Sequence, residues 1–138
     1  MTKTIRVGVI GVGHLGRYHA QKYAAMEHVT LTGVADIDTE RGQAVASETG
    51  TTAFTDYRQL ASQVDAVSIA TPTTSHFEVG SYCLEHGVDV MMEKPITSAL
   101  DEANALVKLA ADQERILQVG LVERFNPAMR AAQQRLTL

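Results

Sequence analysis

Residues 88–97 read VDVMMEKPIT. Four of the first five are apolar, the composition of a strand buried on both faces. Glu93 and Lys94 follow, and Pro95 ends the ladder because it has no N–H to give. An acid and a cation after a buried strand stand at a rim and not in a core. A lysine at such a rim can stabilise the alkoxide-like charge that develops on a reacting oxygen. The alternative is a solvated strand-end charge paired with Glu93.

A second chemical element lies near the start of the chain. Residues 8–20, GVIGVGHLGRYHA, place Gly11, Gly13 and Gly16 in the pattern G-x-G-x-x-G. That pattern is weak alone, but here it follows an apolar run and opens a helical stretch. Gly11 permits the tight turn, Gly13 lets the backbone approach a pyrophosphate, and Gly16 lets the helix pack closely on the strand. The N–H groups of His14 and Leu15, at the helix start, can donate to phosphate oxygens. Asp36 ends the second apolar run about twenty residues after Gly16, where a dinucleotide fold places the acid that bonds the adenosine ribose. Ile37 and Asp38 come next, with no arginine, so a 2′-phosphate would meet negative charge. NAD is therefore expected over NADP. Arg41, one helical turn on, is the cation that could swing towards such a phosphate. Asp38 is the better placed cap for the following helix, which leaves Asp36 free.

The elements that must position these residues alternate along the chain. Strands are expected at 5–10, 29–35, 53–54, 66–70, 88–92 and 116–119. Helices are expected at 14–26, 38–49, 57–61, 75–86, 98–111 and 127–136. In the fifth helix Leu100, Ala103, Val107 and Ala110 recur at helical spacing, with Ser98 as its cap and Asp101 three residues on. Pro127 suits the first turn of the last helix. Alternation with short connections means βαβ units and a parallel sheet. The fold class is α/β, a doubly wound parallel sheet of the Rossmann type. No internal repeat, low-complexity tract or flexible linker interrupts it.

Ligands of such sheets bind beyond the carboxyl ends of the strands. ATPTTSH, residues 70–76, and Glu93-Lys94-Pro95 both occupy such ends. The glycine start, Asp36, ATP-x-x-x-H and EKP, in this order, resemble the N-terminal domain of the Gfo/Idh/MocA (glucose–fructose oxidoreductase/inositol dehydrogenase) family. The resemblance covers essentially the whole chain. It implies an oxidoreductase acting on CH–OH groups, in which Lys94 orients and polarises the substrate hydroxyl or carbonyl. It implies that Glu93 contacts the nicotinamide ribose or orients Lys94, and that Thr71, Pro72 and His76 line the cofactor. For His76, packing at the helix start is an equal alternative. The segment VGLVERFNPAMRAA, residues 119–132, is similar to one branch of the family, dehydrogenases of nucleotide sugars. By that resemblance Arg124 and Asn126 face the nicotinamide or the substrate, and Arg124 could hold a diphosphate bidentately. Pairing of Arg124 with Glu123 or a neighbouring acid is the alternative.

Family members carry a second domain that supplies substrate contacts, a general acid/base histidine and the oligomer interface. None of that lies within these 138 residues. Residues 1–122 are accordingly expected to form the dinucleotide-binding domain, and 123–138 to start the connection towards the other. Alone, the chain is expected to bind NAD(H) with little or no turnover. The full protein is expected to be a homo-oligomer acting on a small sugar or nucleotide sugar. A non-catalytic NAD(H) sensor or interaction module is the competing class, but a sensor has no need of a lysine beside the nicotinamide. The three-glycine spacing and EKP disfavour a methyltransferase that uses S-adenosylmethionine.

Composition narrows the setting. The net charge of −4, with no basic stripe, argues against nucleic acid. Apolar runs are too short for a membrane-spanning helix, and MTKTIRVGVIG lacks the features of a signal peptide. The single cysteine, Cys83, cannot form an internal disulfide, which fits a cytoplasmic setting and a buried structural thiol. His14 and His19 are expected to be solvated or packed, and His28 and His86 to lie in a loop and at a helix end. No cluster has metal-ligand spacing, so no metal is expected.

Overall fold

The computed structural model describes residues 4–136. Six strands follow the chain: β1 (Ile5–Ile10), β2 (Val29–Ala35), β3 (Thr52–Phe54), β4 (Ala66–Ile69), β5 (Asp89–Met92) and β6 (Leu117–Val119). They form one sheet in the order β3-β2-β1-β4-β5-β6, and every pairing is parallel. This is the doubly wound order, and the chain reverses direction across the sheet between β1 and β4. The helices are α1 (His14–Ala24), α2 (Thr39–Thr49), α3 (Tyr57–Ala61), α4 (His76–Glu85), α5 (Leu100–Asp112) and α6 (Pro127–Arg135). Two short 3₁₀ turns, Thr73–Ser75 and Val122–Phe125, were not foreseen in the sequence.

Successive side chains of a strand point to opposite faces, so each strand feeds two cores. Ile10 joins Leu60, Ile69, Leu84, Met92 and Leu106 on one face. Val9 joins Val12, Ala20, Val34, Val45 and Ala46 on the other. A sheet covered on both sides explains why its strands read as nearly unbroken apolar runs. Cys83 is buried in the larger core, and burial pushes its thiol up to about 12, which makes it an inert packing group.

Helix ends follow local chemistry at α2 and α6 and depart from it at α5. Asp38 caps α2, its Oδ1 accepting the Arg41 N–H at 3.0 Å, and Gly50 closes the helix at φ 68°. Asn126 Oδ1 accepts the Ala128 N–H at 2.9 Å, and Pro127 takes the first turn of α6. Ser98, however, does not cap α5. That helix starts at Leu100, with Ala99 as its uncapped boundary residue. Thr97 Oγ1 donates to the Ala99 carbonyl at 2.7 Å, so the segment before the helix is held by a different side chain.

Glycines on β1 and β2 make room for Leu60, and Gly33 also for the Phe54 ring, which a Cβ would meet at 2.5 Å. Leu60 of α3 is fully buried, and a Cβ on Gly8 would stand 2.9 Å from its Cγ. A Cβ on Gly33 would stand 3.0 Å from Leu60 Cδ1. Gly8→Ala should therefore overpack the core at a cost of about 1–3 kcal/mol, and Leu60→Ala should leave a cavity costing about 2–5 kcal/mol. The double variant should cost clearly less than the sum, because the new methyl enters the vacated space. Urea unfolding of the four proteins measures this, and additive costs would show that the two sites do not share that space.

Candidate cofactor site

The β1–α1 turn is built on close approach. Gly11 has φ +81°, a left-handed conformation that favours glycine. A Cβ on Gly16 would overlap the Gly11 carbonyl oxygen, so α1 can rise directly from the turn only if residue 16 has no side chain. Gly13 differs: a Cβ there would meet nothing within 4 Å. Its absence is not needed for packing, and the space beside it opens onto the crevice. The first N–H groups of α1 have no partners within the helix and lie at its positive end. The side chains of His14 and Leu15 are exposed, and the His14 ring meets the Tyr18 ring edge-on at 5.2 Å.

Asp36 lies just beyond β2 and is buried. Its Oδ2 accepts the Val12 N–H at 2.9 Å and its Oδ1 accepts the Asp38 N–H at 2.9 Å. Arg41 supplies two more donors, Nε to Oδ2 at 3.0 Å and Nη2 to Oδ1 at 2.7 Å. The expectation that Asp36 stands free is thus corrected: Asp38 is the cap, but Arg41 folds back onto Asp36. Burial by itself would raise the Asp36 pKa, but the bonds from Arg41, Val12 and Asp38 outweigh it and hold the carboxyl below its ordinary range.

Gly11, Gly13, Asp36, Ile37, Thr71 and Pro72 line one cavity of about 560 Å³, and Arg41 joins them. Thr71 Oγ1 is buried there and has no hydrogen-bond partner among the described residues. His76 does not line this cavity. It is buried at the start of α4, with Nδ1 at 3.0 Å from the Pro95 carbonyl and Nε2 at 3.0 Å from the Thr71 carbonyl. Its ring thus sits between the ATP turn and the EKP turn with a carbonyl within hydrogen-bond distance of each nitrogen, and its single neutral-ring N–H donates to one of them at a time, as in the packing alternative.

Glu93 and Lys94 separate at the end of β5. Glu93 is buried and Lys94 exposed. Glu93 Oε2 accepts the Lys94 backbone N–H at 3.2 Å, while the Lys94 ammonium makes no ion pair among the described residues. The partner of Glu93 is His19 of α1, whose Nε2 lies 3.1 Å from Oε1. His19 Nδ1 in turn meets the Ser68 hydroxyl at 2.7 Å, on β4. His19 was read in the sequence as merely solvated or packed. Its position three residues after Gly16, on the same helix face, was the available signal. Gly120 also serves here, because a Cβ on it would press within 3.2 Å of Glu93 Oε1.

Lys94 and Arg124 line a second cavity of about 540 Å³, together with Leu121, Val122, Met129 and Leu136. Arg124 does not pair with Glu123, whose Oε2 instead accepts Asn126 Nδ2 at 2.8 Å. Asn126 thus bonds Glu123 through Nδ2 and caps α6 through Oδ1. No group of three or more His, Cys, Asp or Glu side chains among the described residues could hold a metal ion. No helix among them is long and apolar enough to cross a membrane.

A glycine-turned helix start, a buried acid at the end of the second strand and an orphaned hydroxyl between them define a dinucleotide-binding domain. The chain belongs to the Gfo/Idh/MocA oxidoreductase family with an NAD-binding Rossmann fold, whose model matches residues 5–121. It is 45% identical over 130 residues to the UDP-N-acetylglucosamine 3-dehydrogenase of Acidithiobacillus ferrooxidans, covering 94% of this chain and 41% of that protein. A crystal structure of that dehydrogenase superposes with a TM-score of 0.89 over 96% of this chain and 43% of its own. The scyllo-inositol 2-dehydrogenase (NAD(+)) of Bacillus subtilis is 34% identical over 140 residues, covering 99% of this chain and 41% of that protein. A Lactobacillus casei scyllo-inositol dehydrogenase, solved with bound NAD(H) and scyllo-inositol, matches with a TM-score of 0.88 at 28% identity, over 96% of this chain and 40% of that one. The chain thus spans about two fifths of the length of the relatives it matches.

Gly13 and Gly16 should respond oppositely to substitution. Gly13→Val has room to fold but fills the phosphate's approach, so it should melt normally and lose NADH binding. Gly16→Ala should lose the fold, because its methyl would overlap a backbone carbonyl. Circular dichroism melts beside NADH fluorescence titration separate the two effects. Retained NADH affinity in a folded Gly13→Val protein would make the turn purely structural.

Proposed function

We propose that the chain is the NAD(H)-binding part of an oxidoreductase that transfers hydride between nicotinamide and a secondary alcohol or ketone of a sugar. The observation that carries this reading is Lys94: an ammonium without an ion-pair partner among the described residues, at the crevice rim, on a turn whose glutamate is drawn away by His19. Bound nicotinamide would supply the hydride-accepting carbon. The backbone at Gly11 and Gly13 and the N–H groups of His14 and Leu15 hold the pyrophosphate. Asp36 takes the adenosine ribose, and the Thr71 hydroxyl gains the partner it lacks. Lys94 donates to the substrate oxygen and stabilises negative charge as it develops there. Arg124, in the same cavity, binds an anionic group of the substrate. The likeness to a UDP-N-acetylglucosamine 3-dehydrogenase and the segment VERFNPA support a nucleotide sugar. In this reading residues 1–122 form the cofactor unit and 123–138 begin its connection to a substrate-binding part. That α6 buries no residue of its own supports the division.

NADH should bind more tightly than NADPH, because Ile37 and Asp38 offer a 2′-phosphate no cation. Fluorescence titration of both tests this, and equal or tighter NADPH binding would overturn it. In the full-length protein Lys94→Ala should lower kcat on the order of 10²–10³-fold, by analogy with the loss of one oxyanion donor. Lys94→Arg should not restore it, since a planar fork does not replace a compact ammonium. NADH affinity should hardly change in either variant. A near-normal kcat in Lys94→Ala would reduce Lys94 to a solvated strand-end charge.

A further inference from the structure

Two carboxylates stand where they could claim the Lys94 ammonium. Glu93 precedes it in the chain, and Glu123 lines the same cavity. The other charged groups of that cavity, Arg124 and Arg130, are cations. Each acid is held by a side chain other than Lys94. Asn126 Nδ2 holds Glu123 at 2.8 Å, and His19 Nε2 holds Glu93 at 3.1 Å.

His19 is itself held from behind. Ser68 is fully buried on β4, and its hydroxyl lies 2.7 Å from His19 Nδ1. A carboxylate only accepts, so His19 Nε2 carries the proton of its bond to Glu93. In the neutral ring Nδ1 is then the acceptor, and the Ser68 hydroxyl donates to it. The two bonds thus run in one direction, from Ser68 through His19 to Glu93. Gly120 closes the other side, since a Cβ on it would stand 3.2 Å from Glu93 Oε1. The His19 and Glu93 side chains are only 16% and 9% exposed, so water competes little for their bond.

We propose that His19 is a positioning residue for Lys94: by holding Glu93 towards α1, with Ser68 behind it, His19 keeps the ammonium free of an internal ion pair and open to a substrate oxygen. This rests on the role given to Lys94 above. Without His19, the buried carboxylate keeps only the Lys94 backbone N–H. An uncompensated buried charge is costly, and the cation next to it in the chain is the Lys94 ammonium. Glu93 then turns to Lys94, and the pair removes the group that the reaction needs.

The test compares the protein with His19→Phe, His19→Gln and the double variant His19→Phe, Glu93→Gln, with thermal midpoints recorded to confirm folding. The first readout needs no substrate. Formaldehyde with cyanoborohydride labels free amines, and peptide mass spectrometry gives the rate at Lys94. Lys108 is the internal standard, because its ammonium is already paired with Asp112 at 2.6 Å. In His19→Phe the Lys94 rate relative to Lys108 should fall about two- to fivefold, the size of one partly exposed ion pair. His19→Gln keeps an N–H donor for Glu93 and should stay near the wild-type rate. The double variant, with no charge left at residue 93, should recover that rate. An unchanged Lys94 rate in folded His19→Phe would overturn the proposal, and so would a fall that persists in the double variant. Should His19→Phe fail to fold, the proton on His19 of the unsubstituted protein decides. Nitrogen NMR should place it on Nε2, and a ring protonated on Nδ1 alone would overturn the proposal, because Glu93 would lack its donor.

In the full-length protein, NAD-dependent oxidation of UDP-N-acetylglucosamine should lose kcat about two- to fivefold in His19→Phe, with KM for NAD unchanged and His19→Gln restoring the rate. An unchanged kcat in His19→Phe would overturn the proposal as well. A full-length protein that oxidised no such sugar would instead remove the proposed function, a distinct result, since the labelling ratio is read without turnover.

Discussion

The arrangement depends on how closely α1 can stand on the end of β1. Residue 16 must lack a Cβ, because one there would overlap the Gly11 carbonyl oxygen. That contact places the positive end of α1 over the crevice beside β4, where the chain reverses across the sheet. It also fixes the rest of the helix. One turn further on, the same face presents His19, which reaches Ser68 on β4 and Glu93 beyond β5. A single steric allowance thus serves the phosphate end of the site and, through His19, the turn that carries Lys94.

Two buried carboxylates hold the two ends of the crevice, and both are satisfied in a similar way. Asp36 takes backbone N–H groups from two turns and a guanidinium. Glu93 takes one backbone N–H and the His19 ring. A buried carboxylate without such partners would be expensive, and loss of one partner would leave a charge uncompensated. Lys94 is the contrast. It follows Glu93 directly, but the glutamate is committed elsewhere and the ammonium has no ion-pair partner among the described residues. Pairing the two neighbours would have been the simplest local outcome. The competing donor on α1 prevents it.

Features set by local chemistry were readable in the sequence. The strand–helix alternation follows apolar periodicity, and β1, β2 and α3 have the bounds expected of them. The glycine spacing and Asp36 were legible because each answers a steric or hydrogen-bonding need within one βαβ unit. Asp38 caps its helix as a short polar residue does. Ser98 shows the limit of local reading. Its S-x-x-D pattern is as good as a true cap, but α5 starts two residues later and Thr97 holds the approach. His19, His76 and Arg41 were misread or half read, because their partners come from elsewhere in the fold. The His19–Ser68 bond joins residues 49 apart and the His76–Pro95 bond residues 19 apart. Arg41 is only five residues from Asp36, but whether its long side chain folds back or reaches outward is decided by the buried acid.

The two cavities divide the chemistry along the crevice. One, of about 560 Å³, collects the glycine turn, Asp36 and Thr71. The other, of about 540 Å³, collects Lys94 and Arg124. Between them lies His76, whose ring sits between the turn at Thr71 and the turn at Pro95. Each turn is therefore fixed from behind by a histidine that faces neither cavity, His76 through two carbonyls and His19 through Glu93. His19 suits this work because one ring nitrogen can donate to the Glu93 carboxylate while the other accepts from the Ser68 hydroxyl. The residues that meet solvent in the crevice are left with few internal commitments. Among the described residues Lys94 has an ammonium without an ion pair, and just beneath the surface the buried Thr71 hydroxyl has no partner. Rigidity comes from the buried pairs, and the capacity to bind from the groups those pairs leave open.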